Sequence, residues 1–241
     1  GRGRDRADDG RGGEGGGVIG EFAKLVPRGL LKESGEVFDT TQRAFRGPKS
    51  TYILGLNPAN DPSDEFRNTL ESSIAHAEAA ENDGWCAHLD VSPNGRAPGS
   101  EPLQRGISLI CERLNIDPRA TPMSNLIFLR SKKFSDLSFD KRSLMEACWP
   151  FHNAVINKLR VKVIVVLGTS DAAPFIQKKL GFNEIVDEYF ESNNRRWRSY
   201  VMQNANGQFL CALSHPSRAR WNEATDPTEL LVRVRERLQL P

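Results

Sequence analysis

The sequence has no long hydrophobic run. No apolar stretch in its 241 residues approaches the roughly 20 needed to cross a bilayer. The chain also begins without the charged and apolar pattern of a secretory signal peptide. These absences argue against a membrane or secreted protein, and we expect a soluble chain that is cytoplasmic in a bacterium or nuclear in a eukaryote. The hydrophobic fraction of 38% and the charged fraction of 27% are those of an ordinary globular domain.

Cysteine is scarce, and the four cysteines form no C-x-x-C pair. This spacing predicts neither a zinc site nor a disulfide framework. Cys86 and His88 lie two residues apart, but two possible ligands do not make a metal site. No G-x-G-x-x-G or P-loop pattern occurs, which argues against a nucleotide-binding protein built around the turn Gly168-Thr169-Ser170. We therefore expect no metal and no cofactor.

The net charge is only +2 at pH 7, so overall charge does not predict a nucleic-acid-binding protein. Basic residues are nevertheless clustered near predicted strand ends. The clusters are Arg130, Lys132 and Lys133; Arg195, Arg196 and Arg198; and Arg218 and Arg220. Such clusters can hold a phosphate backbone, or they can form the solvated rim of an ordinary protein. The charge pattern leaves both interpretations open.

The N-terminal region has the composition of an unfolded segment. Its first 17 residues include 8 glycines, and most of the others are charged. Such a segment buries too little apolar surface to offset the entropy that ordering costs. We expect residues 1–35 to be disordered or left over from cloning, and residues 36–241 to form a single domain.

From about residue 50 the chain alternates between strand and helix patterns. Buried strands are predicted at 52–56, 126–129 and 161–167, and a hairpin at 197–203 and 209–213. Helical patterns cover about 64–81, 103–114, 144–159, 168–180 and 227–238, and residues 85–101 read as a long exposed loop. The continuously apolar segment 161–167 is typical of a parallel strand covered on both faces. The pattern predicts one α/β domain with a short, mostly parallel central sheet.

Two predicted strands end in unusual polar turns. Gly55-Leu56-Asn57-Pro58-Ala59 follows the first strand, and Ser214-His215-Pro216-Ser217-Arg218 follows the last one. Asn125 stands at the beginning of the strand predicted at 126–129. Because binding sites of open α/β sheets gather at the carboxyl ends of strands, we expect these polar residues to share one cleft.

These segments together resemble the uracil-DNA glycosylase superfamily. The segment 55–58 resembles its first catalytic motif, 214–217 its second, and 124–126 the segment that reads the base. Residues 163–168 match the strand and glycine turn between them. The resemblance covers residues from about 50 to 220, and it is closest to the single-strand-selective monofunctional and mismatch-specific branches. It implies a three-layer α/β/α fold with a four-stranded, mostly parallel sheet.

The resemblance assigns the catalytic roles to Asn57 and His215. Hydrolysis of the N-glycosidic bond leaves negative charge on uracil O2, and a neutral His215 imidazole can donate a hydrogen bond to that charge. Asn57 can hold the attacking water, but an amide is a weaker general base than a carboxylate. We therefore expect a slow enzyme or one that depends on an activated leaving group. Each residue can instead be an ordinary turn former.

The resemblance also predicts a base pocket. Asn125 offers a donor for uracil O4 and an acceptor for N3–H, a polarity that cytosine does not match. The other expected substrate-binding residues are Gly55, Pro58, Phe66 and Ser217. Phe66 is the candidate aromatic floor for a flipped base, although its helical spacing fits a core residue equally well. Trp85 is a second candidate for contacting DNA.

The expected DNA-binding residues are Arg130, Lys132, Arg218 and Arg220. Arg218 occupies the position where related enzymes insert a wedge residue into the duplex. The segment after Pro58 lacks the tyrosine that blocks thymine in the most uracil-specific branch, so exclusion of thymine stays open. Asp61 or Asp64 is a candidate for assisting water activation.

The sequence therefore predicts a monomeric, monofunctional DNA glycosylase of base excision repair. It would hydrolyse uracil from DNA and leave an abasic site. No lysine stands within the motifs, so no Schiff-base lyase step is expected. The alternative is a catalytically weak or inactive member of the superfamily that binds single-stranded or uracil-containing DNA.

Overall fold

The computed structural model of the chain describes residues 17–59, 68–137 and 139–239. The helices of these ranges are α1 Val18–Ala23, α2 Gln42–Phe45, α3 Leu70–Glu78, α4 Ala87–Asp90, α5 Pro102–Leu114, α6 Lys141–Lys158, α7 Ala172–Leu180, α8 Pro216–Ala219 and α9 Glu229–Leu238. The strands are β1 Thr51–Gly55, β2 Met123–Asn125, β3 Val163–Leu167, β4 Glu184–Phe190, β5 Arg198–Gln203 and β6 Phe209–Leu213. No helix within these ranges is long and apolar enough to span a bilayer.

The strands form one mixed sheet in the order β2-β1-β3-β6-β5-β4. Strands β2, β1, β3 and β6 are parallel to one another. Strand β5 pairs antiparallel with β6, and β4 pairs antiparallel with β5. The α/β class is confirmed. The predicted count of four strands is wrong, because the described residues form a sheet of six. Strand β4 is missed by the sequence pattern because it lies at the sheet edge and carries polar residues on both faces.

The two faces of the sheet pack against separate helical layers. Alternate residues along β1 point to opposite faces, so Tyr52 and Leu54 belong to one core and Ile53 to the other. Helices α1, α6 and α7 cover the first face, and α5 and α9 cover the second. The continuous burial of β3 follows from this coverage.

The strand predicted at 126–129 lies three residues earlier, at β2. Residues 126–129 are buried and continue the path of β2 past the end of β1, where the amides of Leu126 and Ile127 donate to the carbonyls of Gly55 and Leu56 at 2.9 Å. They are apolar because the N-terminal segment covers them, as the hydrogen bond from Glu36 N to Phe128 O shows. Asn125 therefore ends its strand, at the carboxyl edge of the sheet.

The N-terminal segment is part of the domain from residue 17 onward, which corrects the disorder expected for 17–35. Ile19, Phe22 and Val26 are buried in the core on the α1 side of the sheet. The Phe22 ring packs against Phe45 and Phe151, with centroids 5.6 and 6.2 Å apart. Residues 1–16 lie outside the described residues.

Two other regions differ from the prediction. The helix predicted over 64–81 is observed as α3, and residues 60–67 of this region lie outside the described ranges. The loop predicted at 85–101 contains α4, and Cys86 within it is fully buried. All four cysteines are buried and unpaired.

Candidate active site

The parallel strands end at one cleft with a volume of about 980 Å³. The loops that follow β1, β2, β3 and β6 all contribute to its lining. Nine of the residues predicted for the site line it: Gly55, Asn57, Pro58, Asn125, Arg130, Lys132, His215, Ser217 and Arg218. Arg220 is not part of the lining, and the Phe66, Asp61 and Asp64 predictions fall outside the described residues.

The hydrogen bonds of Asn57 fix the orientation of its amide. Nδ2 donates to Pro58 O at 3.1 Å, to Leu129 O at 3.5 Å and to Ser131 Oγ at 2.8 Å. Backbone carbonyls only accept hydrogen bonds, so the side-chain nitrogen faces them and the oxygen points away. Within the described ranges, no residue donates to Asn57 Oδ1. That oxygen can therefore accept a hydrogen bond from a bound molecule.

His215 is the N-cap residue of α8, and this position fixes its tautomer. The amide of Ser217 donates to His215 Nδ1 at 3.2 Å, so Nδ1 carries no proton. Burial, together with a smaller effect of the nearby Arg218 charge, lowers the pKa of His215 to about 4. The imidazole is therefore neutral at pH 7 and carries its only proton on Nε2, which makes Nε2 a hydrogen-bond donor.

Asn125 and Gly55 face each other across the parallel pair β1–β2. A Cβ atom added to Gly55 would lie 2.3 Å from Asn125 Oδ1, so only glycine leaves room for this amide. Asn125 Nδ2 lies 3.4 Å from Asp39 Oδ2 and donates to it. One N–H and the oxygen of the amide remain for other partners, since an NH₂ group has two donors.

Asp39 is a residue of the cleft that the sequence did not single out. It is 7% exposed, and its carboxylate lies 3.8 Å from His88 Nε2 as well as beside Asn125. Its backbone is held by hydrogen bonds with Met123 O and Ala87 N. Asp39 stands in an irregular segment beside β2, where no motif or periodicity marks it.

Glu36 and Arg130 form a second charged group in the same cleft. Arg130 Nη2 lies 3.6 Å from Glu36 Oε2, and Nη1 donates to Ala59 O at 2.8 Å. Arg130 is only 7% exposed, so it belongs to the cleft wall and not to the exposed rim expected for a phosphate-binding residue. Burial and, to a lesser extent, the nearby Asp39 carboxylate raise the pKa of Glu36 to about 7, although the Arg130 charge acts to lower it. Glu36 was not predicted as a site residue.

The other basic residues predicted to bind DNA are exposed. Lys132 and Arg218 lie on the rim of the cleft, and Arg220 follows α8 with a left-handed backbone, φ 53°. Trp85 also lines the cleft, half-buried, with its ring 4.6 Å from that of His76. This packing makes Trp85 part of the cleft wall.

The described residues include no group of three or more His, Cys, Asp or Glu side chains placed to bind a metal ion. What the cleft offers is a set of oriented amides, a neutral imidazole and the carboxyl groups of the buried Asp39 and the partly buried Glu36. This set is suited to binding a polar planar molecule and to hydrogen-bonding a developing negative charge. Compared with known proteins, the chain matches no protein-family model and no curated protein sequence.

Proposed function

We propose that the protein is a monofunctional uracil-DNA glycosylase. One observation carries the proposal: Asn57, Asn125 and His215 stand at the carboxyl ends of three different strands and line the same cleft. The three residue types match the three tasks of the reaction. These are positioning of water, recognition of the base and stabilisation of the leaving group.

In this mechanism His215 acts on the departing base. Cleavage of the N-glycosidic bond transfers its electron pair to uracil, and negative charge accumulates on O2. The His215 Nε2–H donates a hydrogen bond to O2. The Ser217 amide holds Nδ1 as an acceptor, so the donor is in place before the reaction starts and no protonation step is needed.

Asn57 positions the attacking water through Oδ1. Its nitrogen is occupied by the carbonyls of Pro58 and Leu129 and by Ser131, which directs the oxygen away from that wall. The water attacks C1′ of the deoxyribose, a hydroxyl group forms there, and the proton leaves to solvent. Because an amide takes up this proton poorly, the reaction is slow compared with one assisted by a carboxylate.

Asn125 reads the base. Its free N–H donates to uracil O4, and its oxygen accepts from N3–H. Cytosine presents an amino group and an unprotonated N3 at these positions. Binding cytosine would leave buried polar groups unpaired, at roughly 1–3 kcal/mol for each group. Asp39 supports this recognition of the base, because its carboxylate accepts a hydrogen bond from the other N–H of Asn125 and so sets which way the amide faces.

A second candidate function is binding of single-stranded or uracil-containing DNA without turnover. The observation that favours it is the amide of Asn57 at the position where a carboxylate would activate water most strongly. The same cleft would then hold a flipped base and release nothing.

Base release from labelled oligonucleotides separates the two functions. The substrates carry uracil opposite guanine, uracil opposite adenine, or uracil in a single strand. If the protein is a glycosylase, abasic sites form with at least one substrate, and His215→Ala and Asn57→Ala lose most of the activity. Binding of these oligonucleotides without release of uracil supports the second function.

A further inference from the structure

A patch rich in arginine lies beside the cleft. It is formed by the β4–β5 connection and by the segment that follows His215. We call it the arginine–tryptophan patch, and its members are Arg195, Arg196, Trp197, Arg218 and Arg220. The stretches 195–197 and 215–221 together contain four arginines and no acidic residue. This local charge contrasts with the nearly neutral chain as a whole.

Arg195 fixes the two halves of the patch to each other. Its guanidinium bonds the buried carboxylate of Glu191 through Nε and Nη2, at 3.2 Å each. It also donates to the carbonyls of Arg218 at 3.2 Å and Ala219 at 3.1 Å. The β4–β5 connection is thus held against the turn that carries His215, and the patch has a defined shape.

Trp197 presents an aromatic surface in the middle of this charge. The Arg195 guanidinium carbon lies 4.2 Å from the centre of the indole ring and covers part of it. Trp197 nevertheless remains 40% exposed. A large ring held in place by a fixed cation loses little conformational freedom when it binds a partner. Tryptophan and arginine are both enriched among the residues that dominate binding energy at interfaces.

Three arginines of the patch have uncompensated charge. Arg196, Arg218 and Arg220 are exposed, and none of them forms an ion pair with any residue in the described part of the chain. Arg198, by contrast, pairs with Glu188 at 2.6 Å and is not counted in the patch. Unpaired guanidinium groups at this density attract a polyanion.

The patch adjoins the proposed reaction centre. The amide of Ser214 donates to Ser199 Oγ at 2.8 Å, which ties the start of β5 to the residue before His215. Trp197 precedes Ser199 by two residues, a distance of at most about 7 Å along the backbone. Trp197 therefore lies close to the turn that carries His215.

We infer that the arginine–tryptophan patch binds single-stranded DNA next to the cleft, with an unpaired base stacked on Trp197 and phosphates on the arginines. The charge selects a polyanion, and the exposed indole selects one with free base faces. A duplex keeps its bases stacked on one another and offers the indole no such face. The inference rests on the proposed function, because it assigns the strand that the cleft would act on.

The test is fluorescence anisotropy with uracil-free, labelled oligothymidine and with a labelled duplex, using the full chain. Trp197→Ala should weaken binding of the single strand about tenfold and change duplex binding little. Trp197→Phe should restore most of the affinity because phenylalanine also stacks. Phe139→Ala is the matched control, since Phe139 is an exposed aromatic outside the patch, and it should bind as the wild type does.

Arg196→Gln supplies a second readout of the same inference. It should lower the slope of log affinity against log salt by about 0.7 for the single strand, the loss of one phosphate contact. Unchanged single-strand binding in both Trp197→Ala and Arg196→Gln would overturn the inference. Because the probe contains no uracil, these outcomes are independent of whether the protein releases uracil.

Discussion

Gly55 controls the position of the amide that would read the base. Gly55→Ala places a methyl group 2.3 Å from Asn125 Oδ1, so the amide must move. A displacement of about 1 Å can cost about 100-fold in rate, and we expect a loss of that order in uracil release. Discrimination against cytosine should fall as well. Both quantities are measured with single-stranded oligonucleotides that differ only in the target base.

The control for this prediction is Gly29→Ala. Nothing lies within 4 Å of a Cβ added to Gly29, and Gly29 is not among the residues that line the cleft. It should release uracil at the wild-type rate. Equal rates for Gly55→Ala and Gly29→Ala would contradict the role given to Asn125.

The carboxyl group of Glu36 should make the rate of uracil release depend on pH near neutrality. With a pKa of about 7, its carboxyl is neutral below that pH and negatively charged above it. A negative charge in the cleft opposes the charge that develops on the departing base. Uracil release should therefore fall as the pH rises through 7. His215, with its pKa of about 4, stays neutral over this range and adds no step of its own.

The pH profile of Glu36→Gln tests this assignment. The variant should lose the fall near pH 7, while the exposed Glu33→Gln keeps it. A profile of Glu36→Gln that still falls near pH 7 would assign the titration to another group.

At the scale of elements, the contact between α5 and α8 positions His215. Pro216 is the first residue of α8. A Cβ atom added to Gly106 of α5 would lie 2.5 Å from the Cγ atom of Pro216. Gly106→Ala should push α8 outward and move the adjacent His215. We expect a loss of about 1–3 kcal/mol in the free energy of unfolding, because the contact is overpacked. Uracil release should fall further than the folded fraction does.

Ser108→Ala is the control on the same helix. The Ser108 hydroxyl donates to Gln104 O within α5, so its removal leaves the contact with α8 intact. Chemical denaturation and uracil release are measured on both variants. A Gly106→Ala protein that loses stability but releases uracil normally would show that α8 does not position the imidazole.

Elements with strong local patterns could be predicted from the sequence. Strand β3 is buried on both faces and therefore continuously apolar, and α7 follows a glycine turn. Strand β2 was misplaced by three residues because the apolar segment after it is covered by the N-terminal chain, a contact between distant parts of the sequence. Strand β4 carries no alternating pattern because it forms the sheet edge.

Some residues of the candidate site could likewise be predicted from the sequence, and others could not. Asn57, Asn125 and His215 stand in short motifs that can be recognised one by one. Asp39 and Glu36 were missed because only the folded chain brings them beside Asn125 and Arg130. The sequence does not single out Trp197, because only the neighbouring residues distinguish an exposed tryptophan in a sequence.

At the scale of the whole molecule, the N-terminal segment from residue 17 belongs to the domain core. Phe22→Ala removes a side chain that is 1% exposed and packed against two other rings. We expect it to cost about 3–5 kcal/mol in the free energy of unfolding. Leu25→Ala, on the same segment but 36% exposed, should change this free energy by less than about 1 kcal/mol. Urea denaturation compares the two variants, and similar midpoints would contradict the packing of Phe22 in the core.

We propose that a hydrogen bond from His215 stabilises the departing base while the N-glycosidic bond breaks. Single-turnover release of uracil from a single-stranded oligonucleotide, by the wild type and by His215→Ala, tests it most directly. We expect free uracil and an abasic site with the wild type, and a rate lower by about 100-fold or more in the variant. Equal rates in the two proteins, or no uracil from the folded wild type, would contradict it.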